Sequence, residues 1–224
     1  VRSTQHSASC PSILRPTMSL AMFLGCLLFV FGPLLVIFVL FVAKKAQNII
    51  LAMGSSFVWT IAILLTSGWW MAIKPLREQL FFILPFAVIF QEAARWGIWK
   101  LYHFAYHKIE MFREDMSKPT TFAASISVGW GIGASMALVM QSSMLFSALG
   151  PADLPATNCP SVSAFHLQAL ITLPIALLHI LLSIILFDAY PRKSWLLIGL
   201  AVFLHFVSAF ATVSIGSFNC LFGV

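Results

Sequence analysis

Long apolar runs separated by short polar connections dominate the chain. A helix that crosses a bilayer needs about 20 mainly apolar residues, and six stretches meet that requirement: Ser19 to Ala43, Ile49 to Ile73, Leu80 to Tyr102, Thr121 to Leu145, Ser163 to Asp188 and Ser194 to Ile215. The third contains Glu92 and Arg95. Three residues apart on a helix, they share a face and can neutralise each other. Pro33, Pro85 and Pro174 fall inside spans, where neighbouring helices can satisfy the carbonyls they free. The pattern predicts an all-α, polytopic transmembrane helix bundle with six spans in one domain, residues 18–215. Residues 1–17 have no continuous apolar core, so they resemble no signal peptide. They read as an upstream-translated extension before Met18, and residues 216–224 as a short divergent C-terminal tail.

Composition excludes a soluble domain. Of the 224 residues, 60% are hydrophobic and 9% charged, against about 45–50% and roughly 25% in soluble proteins. The mean hydropathy is +0.96, so the partner it implies is the lipid bilayer. The net charge of +6 brings in no nucleic acid, because the basic residues sit in small clusters at the ends of apolar runs, where they act as topology signals. Lys44 and Lys45, then Lys108, Arg113 and Lys118, then Arg192 and Lys193 follow spans one, three and five, with Lys100 at the inner end of span three. Those connections are expected to be cytosolic. The connection after span four, Gly150 to Val162, has no Lys or Arg, although the one after span two carries Lys74 and Arg77. An N-terminus on the lumenal or extracellular side follows.

Candidate chemistry is sparse. Cys10, Cys26, Cys159 and Cys220 are widely spaced with no CxxC pair, which argues against a zinc site and implies no metal or other cofactor. Cys26 lies within span one; the other three fall on the predicted outer side, where a disulfide is permitted but not paired by sequence. Ionisable groups inside spans are functional candidates, because burying them costs several kcal/mol without a partner. Here they are Glu92, Arg95, His179 and His205. At 1.5 Å per residue, His179 lies roughly 14 Å and His205 roughly 17 Å from the cytosolic edge of antiparallel neighbours. The imidazoles can therefore face each other or share a polar pocket, serving a proton relay, a metal pair, or hydrogen bonds between helices. Intramembrane proteolysis would call for facing aspartates, a Ser/His dyad or HExxH, none of which occurs. Span four carries Gly129, Gly133 and Ala137 at four-residue steps, extended by Ser125 and Gln141. Such a ridge of small side chains admits close approach by another helix, of this chain or of a partner.

These motifs together resemble the anterior-pharynx-defective (Aph) subunit of gamma-secretase. Phe23-Leu24-Gly25-Cys26 followed by Phe31-Gly32-Pro33 is similar to the family's opening F-x-G-C-x4-F-G-P, and Gln91-Glu92 with Arg95 to its Q-E-x-x-R segment. Gly129, Gly133 and Ala137 stand where the family has tandem GxxxG steps, the third being Ala here, and Ala148-Leu149-Gly150-Pro151 follows. Leu177-Leu178-His179, Phe187-Asp188-Ala189 and His205 resemble the family's two intramembrane histidines and their setting. The family has seven spans and a cytosolic C-terminus, so this chain reads as lacking the seventh.

The resemblance implies a noncatalytic scaffold that holds nicastrin and presenilin together, with the presenilin enhancer as fourth subunit. Presenilin would supply the catalytic aspartates, and the complex would cleave Notch and amyloid-precursor-like proteins in the endoplasmic reticulum, Golgi and plasma membrane. Gly129, Gly133, Ala137 and Ser125 would serve assembly, and His179, His205, Glu92 and Gln91 would be intramembrane polar groups supporting it. The alternative reading is a small transporter or channel with a polar pathway through Glu92, His179 and His205. A histidine-assisted intramembrane hydrolase stands behind both.

Overall fold

The computed structural model describes residues 20–73, 79–110, 121–148, 155–156 and 159–217. Residues 1–17, the Lys74 and Arg77 connection, Arg113 and Lys118, Gly150 and Pro151, and residues 218–224 lie outside them, as do the side chains of Cys10, Cys159 and Cys220. Six helices, long and apolar enough to cross a membrane, make up the bundle: α1 (Leu20–Ile37), α2 (Ala46–Ala72), α3 (Leu80–Glu110), α4 (Thr121–Ala148), α5 (Ala164–Ala189) and α6 (Trp195–Ser217). The spans read from hydropathy match these helices closely except in α3, which continues eight residues past Tyr102. The apolar run ends there, but Phe104 to Lys108 contain no Gly or Pro to break the helix. A short antiparallel pair, β1 (Pro155–Ala156) and β2 (Cys159–Ser163), precedes α5; hydropathy alone reads this stretch only as a connection.

The bundle is organised around α4. Its apolar window is 56% buried, against 44% for α5 and 11% for α6, although its mean hydropathy of 1.6 is well below the 2.6 of α5. Lipid is as apolar as leucine, so a central helix is selected by how closely neighbours can approach rather than by hydrophobicity. The sequence Ser125-Ile126-Ser127-Val128-Gly129-Trp130-Gly131-Ile132-Gly133 provides that proximity on two sides. A Cβ on Gly129 would stand 2.6 Å from Ile180 Cα, and one on Gly133 2.5 Å from the Ala176 carbonyl oxygen, both on α5. Gly131, on another side of the helix, abuts Ala52 and Ser55 of α2. Ser55 Oγ donates to the Val128 carbonyl at 3.1 Å and Ser56 Oγ to that of Gly131 at 2.9 Å. Farther along, Gln141 Nε2 donates to Thr172 Oγ1 at 3.2 Å. Val30 and Leu34 of α1 pack with Ala137 and with Phe165, Ala169 and Ala176 of α5, all buried.

Two irregular turns complete the frame. Past Pro33, α1 widens into a π-helical turn, Phe38–Val42, closed by Ala43 N–H on the Phe38 carbonyl at 2.8 Å. One carbonyl of the turn before it and one within it accept bonds from outside the helix. Trp130 Nε1 of α4 donates to Leu34 O at 2.7 Å, and Asn48 Nδ2 of α2 to Phe41 O at 3.1 Å. Between α5 and α6, Lys193 takes φ = 53°. Its N–H donates to Tyr190 O and that of Ser194 to Ala189 O, each at 3.1 Å, the paired bonds of a Schellman turn. This short reversal sets α6 antiparallel beside α5.

Gly131→Val is expected to lower stability by about 1–3 kcal/mol through overpacking against α2. Gly97→Ala, in α3 with open space around its Cβ, should raise it by up to about 1 kcal/mol. Thermal unfolding in detergent measures both; equal behaviour of the two variants would count against a close α2–α4 contact.

Candidate functional site

Glu92 and Arg95 lie one turn apart on α3, and their shared face turns inward toward α5 and α6. Arg95 is fully buried, His179 is 1% exposed, His205 5% and Glu92 9%. A permanent guanidinium charge can be held there only by a carboxylate and further hydrogen bonds. Arg95 Nη1 donates to Glu92 Oε1 at 2.5 Å, and Arg95 Nη2 donates to His179 Nδ1 at 2.9 Å. His205 Nδ1 lies 2.5 Å from the same Glu92 oxygen. The two imidazoles meet edge to face, with centroids 5.1 Å apart. One carboxylate, one guanidinium and two rings thus form a closed tetrad linking α3, α5 and α6.

The partners assign the ring tautomers. A guanidinium only donates, so His179 Nδ1 carries a lone pair and the proton sits on Nε2. Glu92 Oε1 is an acceptor already bonded to Arg95, so His205 Nδ1 bears the hydrogen. Trp59 of α2 covers the outer side of His179, centroids 6.2 Å apart in an edge contact. At the α5–α6 turn, outside the spans, burial and then the Glu92 charge raise the Tyr190 phenol well above its usual value, so it stays protonated. Among the described residues, no three His, Cys, Asp or Glu side chains converge as metal ligands.

Residues singled out in the sequence fall into three places. Glu92, His179 and His205 come together with Arg95. Gln91 does not join them; its carboxamide oxygen is buried with no hydrogen-bond partner among the described residues. Gly129 and Gly133 face α5 of the same chain, Ala137 packs between α1 and α5, and buried Ser125 Oγ donates to Phe122 O of its own helix at 2.8 Å. Asp188 pairs with Arg192 at 2.6 Å in an exposed surface bridge. Sequence reading missed Gly131, Ser55, Ser56 and Trp59. The available signal was Gly131 itself, two residues from each neighbouring glycine and so on a different side of α4, facing a span that carries adjacent serines.

The profile of the Aph-1 protein family matches residues 21–224. The chain belongs to the Aph-1 family. It is 31% identical over 194 residues to the gamma-secretase subunit Aph-1 of Drosophila melanogaster, covering 85% of this chain and 80% of that protein. It is 27% identical over 217 residues to the gamma-secretase subunit APH1-like of Arabidopsis thaliana, covering 92% and 87%. With the human gamma-secretase subunit APH-1B it shares 24% over 216 residues, covering 89% and 84%. This member of the Aph-1 family is an integral multi-pass membrane protein, and its buried tetrad lies wholly within the matched region.

Removing one charge of the tetrad strands the other. Arg95→Met is expected to cost about 3–5 kcal/mol, whereas the double variant Glu92→Gln/Arg95→Met, which leaves no unpaired charge, should recover at least half of that. His179→Asn, whose amide oxygen can accept from Arg95, should be milder than His179→Leu. A double-mutant cycle by denaturant titration in micelles checks this; simple additivity of the two charge removals would contradict a coupled pair.

Proposed function

We propose that this chain is a noncatalytic scaffold subunit of gamma-secretase that stabilises presenilin and nicastrin, with the presenilin enhancer as fourth subunit. Through them it supports processing of Notch and amyloid-precursor-like membrane proteins. The observation that carries the reading is the family match across residues 21–224, together with relatives named gamma-secretase subunits in plant, insect and human. The structure is consistent with a supporting role: Glu92, Arg95, His179 and His205 bond to one another and tie α3, α5 and α6 together. A residence in the endoplasmic reticulum, Golgi and plasma membrane with the N-terminus outside follows from the same reading, supported by the Lys/Arg bias of the odd-numbered connections. In this reading Gly129 and Gly133 serve assembly indirectly, by seating α5 so that the partner-facing surface of the bundle keeps its shape.

The test is a mild-detergent pull-down of the tagged chain from cells lacking endogenous Aph subunits, probed for nicastrin and for presenilin endoproteolysis. Recovery of both with endoproteolysis is expected. Gly129→Leu, which must displace α5, should reduce recovery by roughly tenfold, in line with about 1–3 kcal/mol of overpacking. A chain that inserts normally yet brings down neither partner would refute the scaffold reading.

A further inference from the structure

The C-terminal third of α3 carries a second concentration of chemistry that the tetrad does not use. The helix has 31 residues, about 46 Å at 1.5 Å each, against a hydrocarbon core of about 30 Å. Counting 20 residues from Phe81, where the apolar window begins, places Lys100 at the hydrocarbon boundary and Lys108 roughly 12 Å beyond it. Lys100, His103, Phe104, His107 and Lys108 recur at three- and four-residue steps, are all exposed, and line a surface cavity of about 530 Å³. The two ammonium groups rest on aromatic rings: Lys100 Nζ is 5.4 Å from the Trp96 ring centre and 5.3 Å from that of Trp99, and Lys108 Nζ 6.0 Å from that of Phe104. No Asp or Glu occurs between residues 93 and 109, and neither lysine has an ion pair among the described residues.

We propose that this face of α3 binds the phosphate headgroup of an anionic glycerophospholipid. The lysines supply charge complementary to a phosphate and His107 can supply a ring N–H donor, at the depth where headgroups lie. The immediate flank is apolar, with Trp96 50%, Leu101 60% and Phe104 63% exposed, which suits the glycerol and upper acyl chains of an amphiphile and gives nothing to a free anion. Two imidazoles four residues apart are also a geometry that can chelate a transition metal, but ammonium groups on either side oppose a cation there. Pinning each lysine over a ring reduces the side-chain freedom lost on binding, so the site differs from a loose collection of interfacial charges such as Lys44 and Lys45.

The experiment is native mass spectrometry of the full chain, delipidated in detergent and then offered phosphatidylserine or phosphatidylcholine at equal concentration. The chain is expected to retain phosphatidylserine preferentially, and Lys100→Gln/Lys108→Gln should lose about fivefold in that preference per lysine removed. Lys44→Gln/Lys45→Gln, with the same charge change at the same end of the bundle, should keep it. Monodisperse gel filtration confirms folding. If the lysine variant fails that check, His107→Glu, which places a negative charge at an exposed position of the same face, provides the same reading. The proposal is overturned if both lipids are retained equally, or if the Lys44/Lys45 variant loses as much as the Lys100/Lys108 variant. It is likewise overturned if inorganic phosphate displaces the lipid, marking a free-anion site, or if Zn²⁺ binds in a manner abolished by His103→Ala/His107→Ala while no lipid preference exists.

Discussion

A guanidinium with no exposure to solvent, inside a bundle meant for lipid, is the constraint around which this protein is arranged. Arg95 is shut off from solvent, so the charge it carries has to be matched inside the protein. Glu92 provides the opposite charge from the same helix, and His179 a lone pair from α5. His205 then attaches α6 to the carboxylate. Because these bonds require atoms within about 3 Å, the three helices have little freedom to slide or rotate against one another. The packing of α4 serves the same end: the α5 backbone that Gly129 admits so closely is that of Ile180, the residue next to His179. A side chain at position 129 would therefore push the imidazole away from Arg95 as well as open the helix contact.

Backbone satisfaction sets a second, weaker constraint. In the absence of water, carbonyls released by irregular turns need donors from the protein. The π-helical turn of α1 receives one from Asn48 of α2 at Phe41, and the turn before it one from Trp130 of α4 at Leu34. The α5–α6 reversal instead satisfies its carbonyls locally, through the left-handed Lys193. The first arrangement binds α1 to the centre of the bundle. The second fixes the length of the connection and so the relative depth of the two histidines, which is why rings 26 positions apart in the chain meet edge to face.

Much of this was legible in the sequence because membranes make the rules simple. Apolar run length gives the helices, and the three-residue spacing of Glu92 and Arg95 gives their pairing. Counting rise per residue from the α5–α6 connection gives the common depth of His179 and His205. What remained hidden is rotational. Hydropathy does not state which way a uniformly apolar helix faces, so nothing in the sequence joined Arg95 to His179, excluded Gln91 from the cluster, or chose between α5 and an outside helix for Gly129 and Gly133. Gly131 and the serines of α2 were overlooked because the eye follows one four-residue ridge, whereas α4 is approached from two sides. The extension of α3 past Tyr102 was missed since an apolar run and a helix end for different reasons.

The tetrad also imposes an order in time. Glu92 and His205 are separated by 113 positions, so at roughly 5–20 residues per second the carboxylate is made about 6–23 s before the last imidazole that will bind it. Until His179 is made, 84 positions after Arg95, the carboxylate and the guanidinium of α3 have only each other within the tetrad. The spacing of one helical turn makes this possible, as the pair neutralises itself before any neighbour arrives. A nascent chain interrupted before α6 would leave the carboxylate without the imidazole that completes its site, a bridge still provisional.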